Sequence, residues 1–238
     1  MWFWFAVIAL LCWSGSDLFS KIGCQDEKDK YSHLKMVTAV GIVMGLHAAY
    51  EIFIGGVEIN MDVILTYLPV SALYIVSMAV GYIGLRYIEL SISSPICNSS
   101  GAIVAVLTII TVGIGDEVPP VALVAVALVC IGVVGLGFTE ANEDEELRRA
   151  RQDESNRHYA KSWIAIFIPI VYCLLDALGT FADSRVLELI DEDSANVAYE
   201  LTFLVVGLVS LFYVTVVKKQ RLVAKQEAPK YTGAIFET

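Results

Sequence analysis

Seven apolar runs of bilayer-crossing length leave this chain little choice of fold. They lie at about 2–22, 34–54, 64–88, 93–113, 118–138, 162–182 and 196–217, where a spanning helix needs roughly 20 residues. Inside lipid every backbone N–H and C=O must be bonded within its own segment, so runs this long and poor in charge fold as helices. Valine and isoleucine would favour strands in water, but run length overrides that preference. Of the 238 residues, 57% are hydrophobic and 18% charged. A soluble domain stands at roughly 45–50% apolar and about 25% charged. The same values exclude a disordered chain, a collagen and a disulfide-stapled secreted scaffold. The reading is an all-α polytopic membrane protein, with the lipid bilayer as its solvent.

The first run lacks a basic segment before it and ends in Asp17, Phe19 and Lys21 instead of a small-residue cleavage site. It reads as a retained span and not as a signal peptide. Positive charge then sets the orientation. Of 16 Lys and Arg, 15 fall in the odd-numbered loops and only Arg185 in an even one. This puts the odd loops in the cytoplasm and the N-terminus outside. Lys21 and Lys35 sit at span ends, and the orientation is the same without them. The formal net charge is −10, with seven acids concentrated in residues 140–154. Such a block is a solvated loop, and nothing favours a nucleic-acid partner.

Self-comparison reveals a repeat. At an offset of 162 residues VMGL at 43–46 lies on VVGL at 205–208, Phe19 on Phe181, and the span starts near 34 and 196 coincide. One gapless offset aligns span 1 with span 6 and span 2 with span 7, so the unit is five helices. Five is odd, so the second copy enters the membrane inverted. Inverted repeats are a mark of secondary transporters, whose substrate site lies between the copies. The units are 1–138, a charged cytoplasmic linker at 139–161, and an incomplete second copy at 162–238. The expected protein has seven complete transmembrane helices and the start of an eighth, a fragment of a ten-helix fold.

WSGSDLFSK in span 1, GYIGLRYIELSISSPICNSSGAI across spans 3 and 4, and the five-plus-five pattern together resemble the EamA-like branch of the drug/metabolite transporter superfamily. The resemblance covers the whole chain and names no substrate. It implies a ten-helix transporter in a plasma membrane of bacterial type. The cavity would lie between the repeats, lined by spans 1, 3 and 4 and by 6, 8 and 9. Many relatives keep both termini in the cytoplasm, and the charge count here departs from that.

Asp17 stands about two-thirds along span 1, where an acid is expensive and usually functional. It could bind a proton or cation, or pair with Lys21 at i+4 and snorkel with it. Trp13 shares its face one turn earlier and could wall a cavity for a cationic or amphipathic solute. In the second copy Asp176 falls at the position of Ser14, mid-span with no base within four residues. In SISSPICNSSG, Pro95 suits a first helical turn, and Ser94, Asn98 and Ser99 lie around it; Asn98 either meets substrate or staples span 4 to a neighbour. Tyr82 ends span 3, where Arg86 and Glu89 suit an interfacial ion pair. His47 and Glu51 share a face at i+4, with His47 a candidate proton relay. Gly41 and Gly45 form a GxxxG, and Gly132, Gly135 and Gly137 crowd span 5; both allow close helix approach within the bundle or in a homodimer.

No cofactor is implied. The five cysteines form no CxxC pair, the three histidines are far apart, and no metal site is expected. No Walker motif is present, and no His/Asp or Ser/His constellation suggests an enzyme. The expected function is secondary transport of small metabolites or drugs by alternating access, with proton coupling through Asp17 and Asp176. The alternative is a non-transporting membrane scaffold or partner subunit, which would fill the central volume with apolar side chains.

Overall fold

In lipid a helix is the one local solution for the apolar runs, and helices are what the computed structural model contains. It describes residues 2–25, 29–88, 90–113, 120–142, 144, 146 and 163–238. The helices are α1 (Trp2–Cys24), α2 (Ser32–Tyr50), α3 (Met61–Gly84), α4 (Leu90–Cys97), α5 (Ser100–Val112), α6 (Pro120–Ala141), α7 (Trp163–Val186), α8 (Glu192–Phe212) and α9 (Ala224–Glu237). No strand occurs among the described residues. Six stretches among these are long and apolar enough to cross a membrane: Phe3–Cys24, Ser32–Gly55, Met61–Gly84, Ser93–Thr111, Phe167–Val186 and Glu192–Val217. The fifth apolar run forms α6, whose apolar stretch is the shorter Leu123–Leu136. Most of the charged linker at 139–161 lies outside the described residues.

Helix starts follow local chemistry. Asn60 accepts from the Val63 N–H at 2.9 Å and caps α3, and Asp191 accepts from the Ser194 N–H at 3.2 Å and caps α8. Helix ends are less ordinary. α2 finishes in a π-helical turn at Glu51–Gly55, and α8 in one at Tyr213–Val217. Both turns are five residues long and lie 162 residues apart. Gly56 N–H bonds Glu51 C=O in the first, and Lys218 N–H bonds Tyr213 C=O in the second.

α2 and α8 pack along their length, around the fully buried Met36, Val40 and Phe203. Small residues make this seam close. A Cβ on Gly41 would stand 2.6 Å from the Phe203 carbonyl and 2.9 Å from the Gly207 Cα, so no larger residue fits. Gly45 lies against Leu204, where a Cβ would meet its side chain at 2.7 Å. Gly132 and Gly135 have nothing within 4 Å, so these two glycines of α6 pack no described helix of this chain. The small residues there leave open space because α6 sits at the rim of the bundle.

Around the α2–α8 seam, α1 packs on α9 and α3 on α7, while α9 also touches α2 and α3 touches α8. The aromatic contacts follow the same order. A Cβ on Gly15 of α1 would stand 3.1 Å from the Phe236 ring of α9. One on Gly179 of α7 would stand 3.1 Å from the Tyr74 ring of α3. Tyr74 and Phe236 are again 162 residues apart.

Charged side chains hold the start of α9. Lys35 of α2 pairs with Asp29 at 2.8 Å and with Glu227 at 3.1 Å, and Lys230 reaches Glu227 at 2.9 Å. Lys35, Glu227 and Lys230 are buried. Alternating charges in contact offset the loss of water that each would suffer alone.

Candidate functional site

The fourth apolar run is not one helix. α4 ends at Cys97, two residues turn, and α5 begins at Ser100. Pro95 lies inside α4 and not in a first turn, because the helix starts already at Leu90. Its ring removes one backbone donor. Around the break, side-chain amide and hydroxyl groups also bond carbonyls that already accept backbone N–H groups. Asn98 donates its side-chain amide to the Ser94 carbonyl at 2.9 Å and to the Ser94 hydroxyl at 3.0 Å. The Ser99 hydroxyl donates to the Ile96 carbonyl at 2.6 Å. A helix interrupted in this way exposes polar groups in mid-span, and such backbone persists in membranes only where it is buried in protein or lines a cavity.

Two acids flank the break. From α1, Asp17 Oδ2 accepts a short hydrogen bond from the Ser94 hydroxyl and a longer one, 3.4 Å, from the Asn98 amide. From α7, Asp176 faces the Ser100 side chain at the start of α5. Cys173, one turn before Asp176, lies 3.4 Å from the Ser99 hydroxyl. The Lys21 ammonium, four residues after Asp17, donates to the carbonyls of Leu85 and Ile88, where α3 has just ended.

A cavity of about 50 Å³ opens beside Asp17. Five of the six solute-path residues named from the sequence line it: Trp13, Asp17, Tyr82, Ser94 and Asn98. Asp176 is outside that lining. Trp13, Asp17, Ser94 and Asn98 also border an open groove of about 470 Å³ between α1 and α4, completed by Leu10, Ser14, Leu90 and Pro95. The narrow cavity and the open groove share Trp13, Asp17, Leu90, Ser94 and Asn98.

Among the lining residues that the sequence reading missed are one from α7 and one from α9. Tyr172 comes from α7, and Glu237 from the far end of α9. Tyr82 donates its hydroxyl to Glu237 at 2.9 Å from Oε2 and 3.0 Å from Oε1. Ser16 adds a bond to Oε2 at 3.4 Å. The 162-residue offset places Glu237 on the apolar Ile75, so the repeat carries no signal for this acid.

Elsewhere, His47 Nδ1 stands 2.7 Å from Glu200 Oε1 of α8, closer than the 3.7 Å between its Nε2 and Glu51. Sequence spacing named the weaker partner and missed the cross-helix one. Arg86 donates to the Lys30 carbonyl at 2.6 Å, and Glu89 lies outside the described residues. No group of three or more His, Cys, Asp or Glu among the described residues is arranged to hold a metal ion. Comparison with protein-family models, with curated proteins and with solved structures finds no match.

Proposed function

We propose that this chain is a secondary transporter of small metabolites or drugs, of the EamA-like kind, working by alternating access between two inverted repeats with proton coupling. The observation that carries this reading is the interrupted α4–α5 span, with Asp17 of α1 on one side and Asp176 of α7 on the other. Discontinuous helices at a repeat interface are where transporters bind substrate and coupling ion. α1 and α7 are partners under the 162-residue offset, so each repeat supplies one acid.

The packing order supports the inverted repeat. Exchanging α1 with α7, α2 with α8 and α3 with α9 turns the α1–α9 contact into α7–α3 and the α2–α9 contact into α8–α3, and leaves α2–α8 unchanged. The equivalent π-helical turns support it too. A scaffold has no need of a polar cavity between α1, α3, α4 and α9; the carboxyls, hydroxyls and amide that line this one favour passage of a polar solute.

The test is reconstitution in liposomes with a pH-sensitive dye inside, screening solutes for those that move protons. Asp176→Asn is expected to cut solute-driven proton flux at least tenfold while expression and insertion hold. Flux that is unchanged, with unchanged pH dependence, would remove Asp176 from the mechanism.

A further inference from the structure

We infer that His47 and Glu200 hold one exchangeable proton inside the membrane, passed to and from the aqueous face by Glu51. This deepens the proposed proton coupling and, for its part in transport, rests on that reading. The three groups form a chain. Glu200 Oε1 of α8 stands 2.7 Å from His47 Nδ1, and His47 Nε2 stands 3.7 Å from Glu51 Oε1. A static ion pair needs one carboxylate on one ring nitrogen. Here each nitrogen faces its own, and an imidazole can take a proton on one nitrogen while releasing one from the other.

Depth gives the chain a direction. His47 and Glu200 lie well inside their spanning stretches, which end at Gly55 and begin at Glu192, about 12 Å from those ends at 1.5 Å per residue. The Ser194 hydroxyl donates to the Glu58 carbonyl at 3.2 Å, so both stretches meet the same face. Glu51 lies nearer that face, in the π-helical turn. Gly55 leaves room for its carboxyl, since a Cβ there would stand 2.5 Å from Glu51 Oε2. The Glu51 side chain is 32% exposed, so a small rotation closes the 3.7 Å gap. Glu200 is 8% exposed, and its Oε2 has no hydrogen-bond partner among the described residues. An ionised carboxyl so placed is costly, and a proton removes that cost.

The transfer balances. A proton arriving on the Glu51 carboxyl passes to Nε2, and the ring gives its Nδ1 proton to Glu200 Oε1. Glu51 is left ionised, with the ring and Glu200 neutral; the reverse sequence empties the site. The titratable groups that face the ring are Glu200 from α8 and, from its own helix, Glu51 and the stacked Tyr50. Asp29 and Glu227, the acids that reach α2 from its preceding loop and from α9, pair with Lys35 at its other end. On α3, the Tyr67, Tyr74 and Tyr82 hydroxyls are bonded to Asp183, Thr180 and Glu237. Under the proposed repeat, His47 and Glu200 belong to different halves, so loading the proton changes what joins the halves at this face.

The experiment is nuclear magnetic resonance of the chain in lipid nanodiscs with isotope-labelled histidine. His33→Gln and His158→Gln leave His47 as the one imidazole, and both ring nitrogens are followed from about pH 5 to pH 8. The ring is expected to gain and lose one proton over this range while Nδ1 stays hydrogen-bonded. Glu200→Gln should weaken binding of that proton at least tenfold, the effect of one carboxylate within hydrogen-bond reach. Glu51→Gln should slow its exchange with water at least tenfold. Ring signals that do not change over the range overturn the inference. So does proton binding that ignores Glu200→Gln, or exchange that ignores Glu51→Gln. The first titration alters none of the three groups, so a variant that misfolds does not blunt it. The transport reading fails separately. A proton that binds and exchanges as expected, with no solute able to drive proton flux, would count against transport alone. Solute-driven proton flux with a silent His47 ring would leave transport standing and overturn this site.

Discussion

Gly41 of α2 and Gly207 of α8 bring two helix backbones into contact, close enough that a Cβ on the first would stand 2.9 Å from the Cα of the second. This is the tightest point of the seam at the centre of the bundle. Any side chain there must push the helices apart, since the obstructing atoms are backbone and cannot rotate away.

Gly41→Ala is accordingly expected to destabilise the protein by about 1–3 kcal/mol, the usual range for overpacking. Gly132→Ala is the control. It has nothing within 4 Å and should be neutral or stabilising by up to about 1 kcal/mol from helix propensity. Thermal unfolding in detergent, followed by loss of the monodisperse peak, reads both. A clear loss at Gly132 would mean that α6 packs on a second copy.

Tyr82→Phe removes two contacts from the Glu237 carboxyl and leaves Ser16 as its donor. The expected loss is about 1–3 kcal/mol, the cost of stripping hydrogen bonds from a buried polar group. Glu237→Gln should lose less, because an amide oxygen still accepts from the phenol. A Tyr82→Phe variant as stable as the parent would show that Tyr82 acts by packing alone.

Glu227→Gln leaves two buried ammonium groups, Lys35 and Lys230, facing a neutral amide. Breaking a buried charge cluster from one side costs about 3–5 kcal/mol. Arg185→Ala breaks an exposed pair, 3.4 Å from Glu188, and should cost no more than about 1 kcal/mol. Parallel melting curves at low and high salt compare them, and only the exposed pair should respond to salt.

The orientation is tested by single cysteines in a cysteine-free background. A cysteine at Gly56 or Glu117 should react with an impermeant maleimide from outside. One at Ser155 should react only after permeabilisation, as 15 of 16 basic residues in the odd loops require. The opposite pattern would reverse the topology.

How much of this was legible follows from what each inference needed. Run length alone gave the helices, because lipid removes the alternatives. Helical spacing put Trp13 on the face of Asp17, and both line one cavity with Ser94 and Asn98. The break after Cys97 was hidden, since Ile96, Ala102 and Ile103 keep the run apolar across it. The start of an eighth helix was legible, but α9 begins earlier, with AKQEAPK, whose charges look solvated until Lys35 and Asp29 arrive from far along the chain. Lys35, discounted as a helix-end charge, is buried for the same reason. Partners distant in sequence, such as His47 with Glu200 or Tyr82 with Glu237, leave no periodic trace.

The π-helical turns at the ends of α2 and α8 bear on descent. Such a turn holds one residue more than an α-helical turn, so it is the form a helix takes when a single residue is inserted without moving its neighbours. Under the duplication proposed above, two separate insertions at the same register would be needed if each half had gained its own. A single insertion in the ancestral five-helix gene, copied along with the rest, requires only one. The widened turns at Glu51–Gly55 and Tyr213–Val217 would then be older than the protein's two-fold form, an inherited irregularity kept in both halves.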